Sequence, residues 1–295
     1  MSTHASLGGR KRRTGLLLSL PCLLFVFLFI IYPLFRNVQL SLNSYNPLKS
    51  PETRFVGLEN YAWLIREPAF FNSLLVTLAF TAVSVMLELL LGFTISYLLS
   101  RIKEGLLARL SAPLTSSFLI PWVIPGISAA VAWRFLYHPS FGLINALLGR
   151  QVMWISNPTL ALFSVVVADV WKTTPFFVFI LLAGFLSIPP EQYEAAKVDG
   201  VSAWKELWYI TIPSILPLML VTTGFRAIDA FTKIFDLVYV LTAGGPGKAT
   251  EVLPLLIYKT ALKYFRFGTA ASISVVAILI SFVFGAMLLR ARRAQ

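Results

Sequence analysis

The sequence predicts an all-α polytopic membrane protein with six transmembrane helices. Three observations predict it. Apolar residues make up 57% of the 295 residues and charged residues only 13%, where about a quarter is usual for a soluble domain. Mean hydropathy is +0.78. Apolar runs long enough to cross a bilayer recur between short basic clusters, as expected when cytoplasmic loops retain lysine and arginine. The net charge of +12 does not point to nucleic acid, because the basic residues flank apolar runs and form no basic domain with stacking aromatics. Loop placement and the lipid bilayer account for them.

The elements follow in order. Residues 1–13 form a basic tail ending in Arg10-Lys11-Arg12-Arg13, which is expected to stay in the cytoplasm. Gly15 to Phe35 is the first span. It lacks the shorter apolar core and small-residue exit of a cleavable signal peptide. With the polar loop Arg36 to Phe71 it makes up a segment 14–71. Asn72 to Leu99 is the second span, interrupted by Glu88, and Arg101, Lys103 and Arg109 follow as an inner basic cluster. Pro113 to Leu136 is the third span, bent by Pro121 and Pro125. Its Trp122 and Trp133 read as belt residues or as substrate contacts. Leu160 to Leu186 is the fourth span. The fifth begins near Thr211, and Gly268 to Leu289 is the sixth, so 72–290 is the core and 291–295 a second cytoplasmic tail. Ala249 to Phe267 is amphipathic and expected at the outer surface.

Between the fourth and fifth spans lies a polar stretch, 187–213. Pro189-Pro190 suits the first turn of a helix. Glu191 and Glu194 sit near the positive end of its dipole. Gly200 stands where that helix stops, since glycine accepts the left-handed C-cap conformation. Ser202 is an N-cap for a second helix, Ala203 to about Ile210. Ala195-Ala196 offers a small-residue patch to which another protein's surface could come close. Taken by itself, the stretch also fits an ordinary amphipathic loop.

Ionisable residues inside apolar spans are costly in lipid and face protein, a partner or a watery path. Asp169 and Lys172 are one turn apart on the fourth span, within Asp169-Val170-Trp171-Lys172-Thr173-Thr174. Arg226, Asp229, Lys233 and Asp236 follow at steps of three, four and three, which draws one polar stripe of alternating sign along a helix. Two readings stand: these residues brace helices, or they border a substrate path. Trp171 could stack on the apolar face of a substrate, and Glu88 is expected to partner a basic residue. The single cysteine and two histidines support no metal or catalytic site. Gly244-Gly245-Pro246-Gly247-Lys248 is no phosphate-binding loop, because Ala249 stands where a magnesium-binding hydroxyl is needed.

The spacing Glu194-Ala195-Ala196, three residues, Gly200, nine residues, Ile210, one residue, Ile212-Pro213 resembles the EAA loop of the membrane subunits of bacterial binding-protein-dependent ABC importers. It departs from that pattern in carrying Ile212 where the family has leucine. Phe55-Val56-Gly57-Leu58-Glu59-Asn60-Tyr61 is similar to a segment after the first span of sugar-importer permeases. The runs from Phe225 to Phe231, Phe235 to Thr242 and Gly244 to Pro246 resemble the maltose, trehalose and glycerol-phosphate branch. The match is to a short, six-span version without a large periplasmic insertion or extra N-terminal spans.

The resemblance implies a type I ABC importer permease fold in the bacterial inner membrane, multi-pass, with both termini cytoplasmic. It also implies a second, different permease, two ATPase subunits that hold the ATP and magnesium, and an extracytoplasmic sugar-binding protein. This chain would bind no cofactor and catalyse nothing. Its EAA-type loop would dock on the ATPases through Glu194, Ala195, Ala196, Asp199 and Gly200. The function implied is uptake of a di- or oligosaccharide, or alternatively of a glycerol phosphate. An ion-coupled secondary transporter would use Asp169, Glu88 or Asp229 instead and usually shows repeated halves; no repeat is seen here.

Overall fold

A computed structural model describes residues 18–50, 52–102 and 116–293. The Arg10–Arg13 cluster, the first residues of the first span, Lys103, Arg109 and Pro113 lie outside them. Five helices are long and apolar enough to cross a membrane: Leu18–Ser41, Pro68–Arg101, Pro158–Leu186, Ala203–Lys233 and Phe267–Ala286, the last continuing to Arg293. They are the first, second, fourth, fifth and sixth spans. The third is shorter and broken, Leu119–Val123 followed by Gly126–Leu136. Pro125 makes the break, because it has no N–H to donate and holds Ile124 at an extended ψ of 129°.

The chain divides into two compact units, Met1–Arg66 with Ile257–Val276 and Glu67–Leu256 with Ala277–Gln295. In the first unit, the strands Asn43–Ser44 and Arg54–Phe55 pair antiparallel after the first span. Gly57 takes a left-handed φ of +57° and leads into the helix Glu59–Arg66. The Phe55–Tyr61 segment is therefore more than a connecting turn. The Asn60 amide donates to the carbonyls of Ser41 and Asn43 at 2.8 and 3.0 Å, and the Tyr61 and Ser41 hydroxyls meet at 2.6 Å.

The second unit is built on the second span. Its buried positions Ser73, Thr77, Thr81, Ser84, Glu88, Gly92 and Ser96 recur every three or four residues. They form one mostly small, polar stripe facing the protein. Leu75, Met86, Leu90 and Leu98 are exposed on the other side. This is the pattern a lipid solvent dictates, with small residues where helices meet and large apolar ones facing acyl chains. The stripe packs along the fourth span so closely that a Cβ on Gly92 would lie 2.4 Å from the Phe177 Cβ.

Two expectations change. The fifth span starts at Ala203, because the second loop helix runs into it through a π-helical turn at Leu207–Thr211. The segment expected as a surface amphipath instead carries a buried helix, Leu253–Tyr258. Val252, Leu253 and Leu255 are buried, and the Thr77 hydroxyl accepts the Leu253 N–H at 2.8 Å. A partner for that otherwise orphaned helix-end donor makes burial possible.

Candidate functional site

Three spans of the second unit bring their charges to one point. Glu88 on the second span is fully buried, and Arg226 on the fifth and Asp169 on the fourth are nearly so, at 3% and 5% exposure. The Arg226 guanidinium donates through Nε and Nη2 to both oxygens of Glu88, at 2.8 and 2.9 Å. Nη2 also donates to Asp169 Oδ2 at 2.6 Å, and Nη1 to Asp229 Oδ2 at 3.3 Å. Lys233 pairs with the other Asp229 oxygen at 2.7 Å. A planar fork of donors can hold several carboxylates at once, which an ammonium cannot. Asp169 thus takes Arg226 as its ion-pair partner, while Lys172, one turn away, donates to the Trp122 carbonyl at 3.4 Å.

The cluster forms one wall of a cavity of about 430 Å³. Its lining holds three acids, Asp169, Asp229 and Asp236, and three bases, Lys172, Arg226 and Lys233, so these charges cancel. Thr173 adds a hydroxyl, and Trp122, Phe176 and Phe225 supply aromatic surface. These rings follow one another at centroid distances of 6.4 and 5.9 Å. Gly126 lets the third span approach, since a Cβ there would sit 3.0 Å from Asp236 Oδ2.

The single-helix stripe is corrected in one respect. The fifth span ends at Lys233, and Asp236 belongs to the next helix, Phe235–Leu241. The Thr232 hydroxyl donates to the carbonyls of Ile228 and Asp229, a back-bond that bends helices just before this break. Asp236 still lines the same cavity. Trp171 and Thr174 do not. They face a separate apolar cavity of about 420 Å³ with Leu91, Phe118 and Pro121, because their helical phase differs from that of Asp169, Lys172 and Thr173. Trp171 meets Trp133 edge-on at 5.8 Å, and the Thr174 hydroxyl donates to the Val170 carbonyl.

The polar stretch after the fourth span folds as a helix, a glycine corner and the start of the fifth span. Pro190 opens the helix Pro190–Val198, with Glu191 in its first turn. Gly200 takes φ +67°. The Val201 N–H donates to the Ala196 carbonyl at 2.9 Å and the Gly200 N–H to the Lys197 carbonyl at 3.1 Å, the paired bonds of a Schellman motif. Ser202 occupies the N-cap position but makes no side-chain cap bond. Glu194, Ala195, Asp199 and Gly200 are exposed, whereas Ala196 is buried. The alanine pair is therefore split: Ala195 faces outward, and Ala196 packs the helix down.

Two residues absent from the sequence-level candidates tie this corner to the spans. Arg101, at the end of the second span, forms an ion pair with Glu206 at the start of the fifth. Its guanidinium lies over the rings of Tyr97 and Tyr193 at 5.0 and 4.8 Å. The Tyr193 hydroxyl in turn lies 3.3 Å from the Thr211 hydroxyl. The signal for Arg101 was its place in an inner basic cluster, but nothing in linear order pointed to Glu206 as its partner.

The family model described as "Binding-protein-dependent transport system inner membrane component" matches residues 14–294. The chain belongs to this family. It is 39% identical over 278 residues, 92% of each chain, to the trehalose/maltose transport system permease protein MalF of Thermococcus litoralis. The trehalose transport system permease protein SugA of Mycobacterium tuberculosis is 35% identical, covering 93% of this chain and 88% of its own. The fold is similar to that of a bacterial alginate ABC transporter solved in complex with alginate pentasaccharide-bound periplasmic protein, at TM-score 0.82, 20% identity and 96% coverage of each chain. As a member of the family the chain is a multi-pass inner membrane component of an ABC transport system, a transporter subunit and not an enzyme.

Proposed function

We propose that this chain forms part of the membrane path of an ATP-driven importer for a neutral sugar, a di- or oligosaccharide delivered by an extracytoplasmic binding protein. The observation that carries the reading is the charge-balanced, aromatic-walled cavity. Three acids and three bases hydrogen-bond hydroxyls without selecting an ion, and Trp122, Phe176 and Phe225 offer apolar faces to sugar C–H groups. The names of the relatives, trehalose and maltose permeases, support the same class. A glycerol phosphate would call for a net positive lining, which favours the neutral solute.

In this reading the path is completed by a second, different permease. Two ATPase subunits bind from the cytoplasm, and the exposed face of this chain's glycine corner docks into a cleft on an ATPase through Glu194, Ala195, Asp199 and Gly200. Both termini are cytoplasmic. ATPase closure pulls on the corner, the Arg101 contacts with Glu206 and Tyr193 carry the pull to the second and fifth spans, and the cavity changes its access.

Single cysteines at 229, 233 and 236 test the path directly. In the assembled transporter with its sugar-loaded binding protein, transported sugar is expected to slow their modification by a water-soluble thiol reagent at least about threefold. A cysteine at 171 or 174 is expected to show no such protection. Uniform inaccessibility, or protection at 171 and 174 alone, contradicts the assignment.

A further inference from the structure

A second polar cleft, of about 730 Å³, lies wholly within the first unit. The strand pair and the helix Glu59–Arg66 form its walls, and the start of the sixth span closes it. Its frame is tightly bonded. Asn60, which holds two carbonyls through its amide nitrogen, also accepts from the Thr269 hydroxyl at 3.2 Å. The Phe267 N–H donates to the Tyr45 carbonyl at 3.1 Å. Gly268 is required at this junction, because a Cβ there would lie 1.9 Å from the Asn43 carbonyl oxygen.

The chemistry of the lining is unlike that of the balanced cavity. Lys49, Arg54 and Arg266 face the cleft and Glu59 is its one carboxylate, so three positive charges less one negative leave a net +2. None of the three cations takes part in an ion pair among the described residues. The Arg266 guanidinium lies 4.5 Å over the Trp63 ring. Tyr45 and Tyr264 complete an aromatic rim. Between Tyr264 and Arg266, Phe265 is held at φ +54°, a left-handed conformation that is strained for a bulky side chain. The Arg266 N–H, bonded to the Thr260 carbonyl at 2.9 Å, helps to fix it. Backbone strain is thus held where two cleft-lining residues are positioned.

We propose that this cleft binds a phosphate group, as carried by an anionic phospholipid headgroup or by a free phosphate. Arginine forks and a lysine charge match the oxygens of a phosphate. The site's level matches a headgroup, because the first span ends at Ser41 and the sixth begins at Phe267. Tryptophan and tyrosine gather at that boundary. The first span leaves Leu34 and Phe35 exposed, a surface along which an acyl chain lies in the lipid-bound form.

The full-length chain in its purified complex, in neutral detergent, is titrated with phosphatidylglycerol, with phosphatidylcholine and with inorganic phosphate, and bound ligand is read by native mass spectrometry. Phosphatidylglycerol is expected to bind in preference to phosphatidylcholine. Lys49→Gln, Arg54→Gln and Arg266→Gln are each expected to weaken it about fivefold, while Arg150→Gln, in the second unit, leaves it unchanged. Lipid binding that phosphate does not displace assigns the site to a headgroup. Phosphate binding without lipid preference, lost in the same variants, assigns it to free phosphate. Equal retention of both lipids with no phosphate bound overturns the proposal. So does a triple variant of unchanged melting temperature that binds as wild type, or one whose single defect is docking of an acidic partner protein.

Discussion

Arg226→Leu is expected to destabilise the protein by about 3–5 kcal/mol. The substitution leaves Glu88 fully buried and Asp169 nearly so, both without the cation that holds them at 2.6–2.9 Å. Uncompensated carboxylates inside a helix bundle cost far more than the packing a leucine supplies. Arg226→Lys is expected to recover only part of the loss, since one ammonium cannot serve Glu88 in bidentate fashion and Asp169 together. Replacing all three partners, as Glu88→Leu, Asp169→Leu and Arg226→Met, is expected to restore most of the stability, because a buried charge set removed whole leaves nothing unpaired. Thermal unfolding of the purified variants in detergent checks this. An Arg226→Leu protein that melts with the wild type would show that the cluster carries no such energy.

Gly200→Val is expected to uncouple transport from ATP hydrolysis. Nothing lies within 4 Å of a Cβ built on Gly200, so the change meets no steric clash and acts through the backbone alone. Holding valine at φ +67° costs about 1–2 kcal/mol, enough to depopulate the Schellman corner about five- to thirtyfold. Transport per ATP hydrolysed should fall by a comparable factor in the reconstituted complex. Gly200→Asn, which tolerates the left-handed region, should stay close to wild type. If valine transports as well as glycine, the corner's conformation is not what couples the two steps.

The elements were legible in the sequence wherever one physical constraint dominated. Membrane length marked five spans, and Pro125 marked the break in the third. The Pro190 start and the Gly200 stop fixed the loop helix, because proline and glycine restrict the backbone locally. Glu88 was legible as a residue in need of a cation, but Arg226 lies 138 positions away, and nothing local named it over Lys172. The face of the fourth span that carries Trp171 and Thr174 could not be told from the face of Asp169, because in a span apolar all round the hydrophobic pattern no longer reports orientation. Asp236 kept the stripe's spacing across a helix break that no proline or glycine announces. Ala196 and the helix Leu253–Tyr258 show the same limit. Burial there depends on what packs over the residue, and a membrane protein's composition does not separate protein-facing from lipid-facing apolar positions.

In the proposed function a neutral sugar crosses through the charge-balanced cavity, driven by ATP through the glycine corner. Uptake of radiolabelled trehalose and maltose into proteoliposomes holding the assembled transporter, measured alongside ATP hydrolysis in the same vesicles, tests it most directly. Uptake is expected to require both ATP and the binding protein, to persist in the presence of ionophores and to be competed weakly by phosphorylated solutes. Uptake that continues without ATP and collapses when ion gradients are dissipated would contradict it.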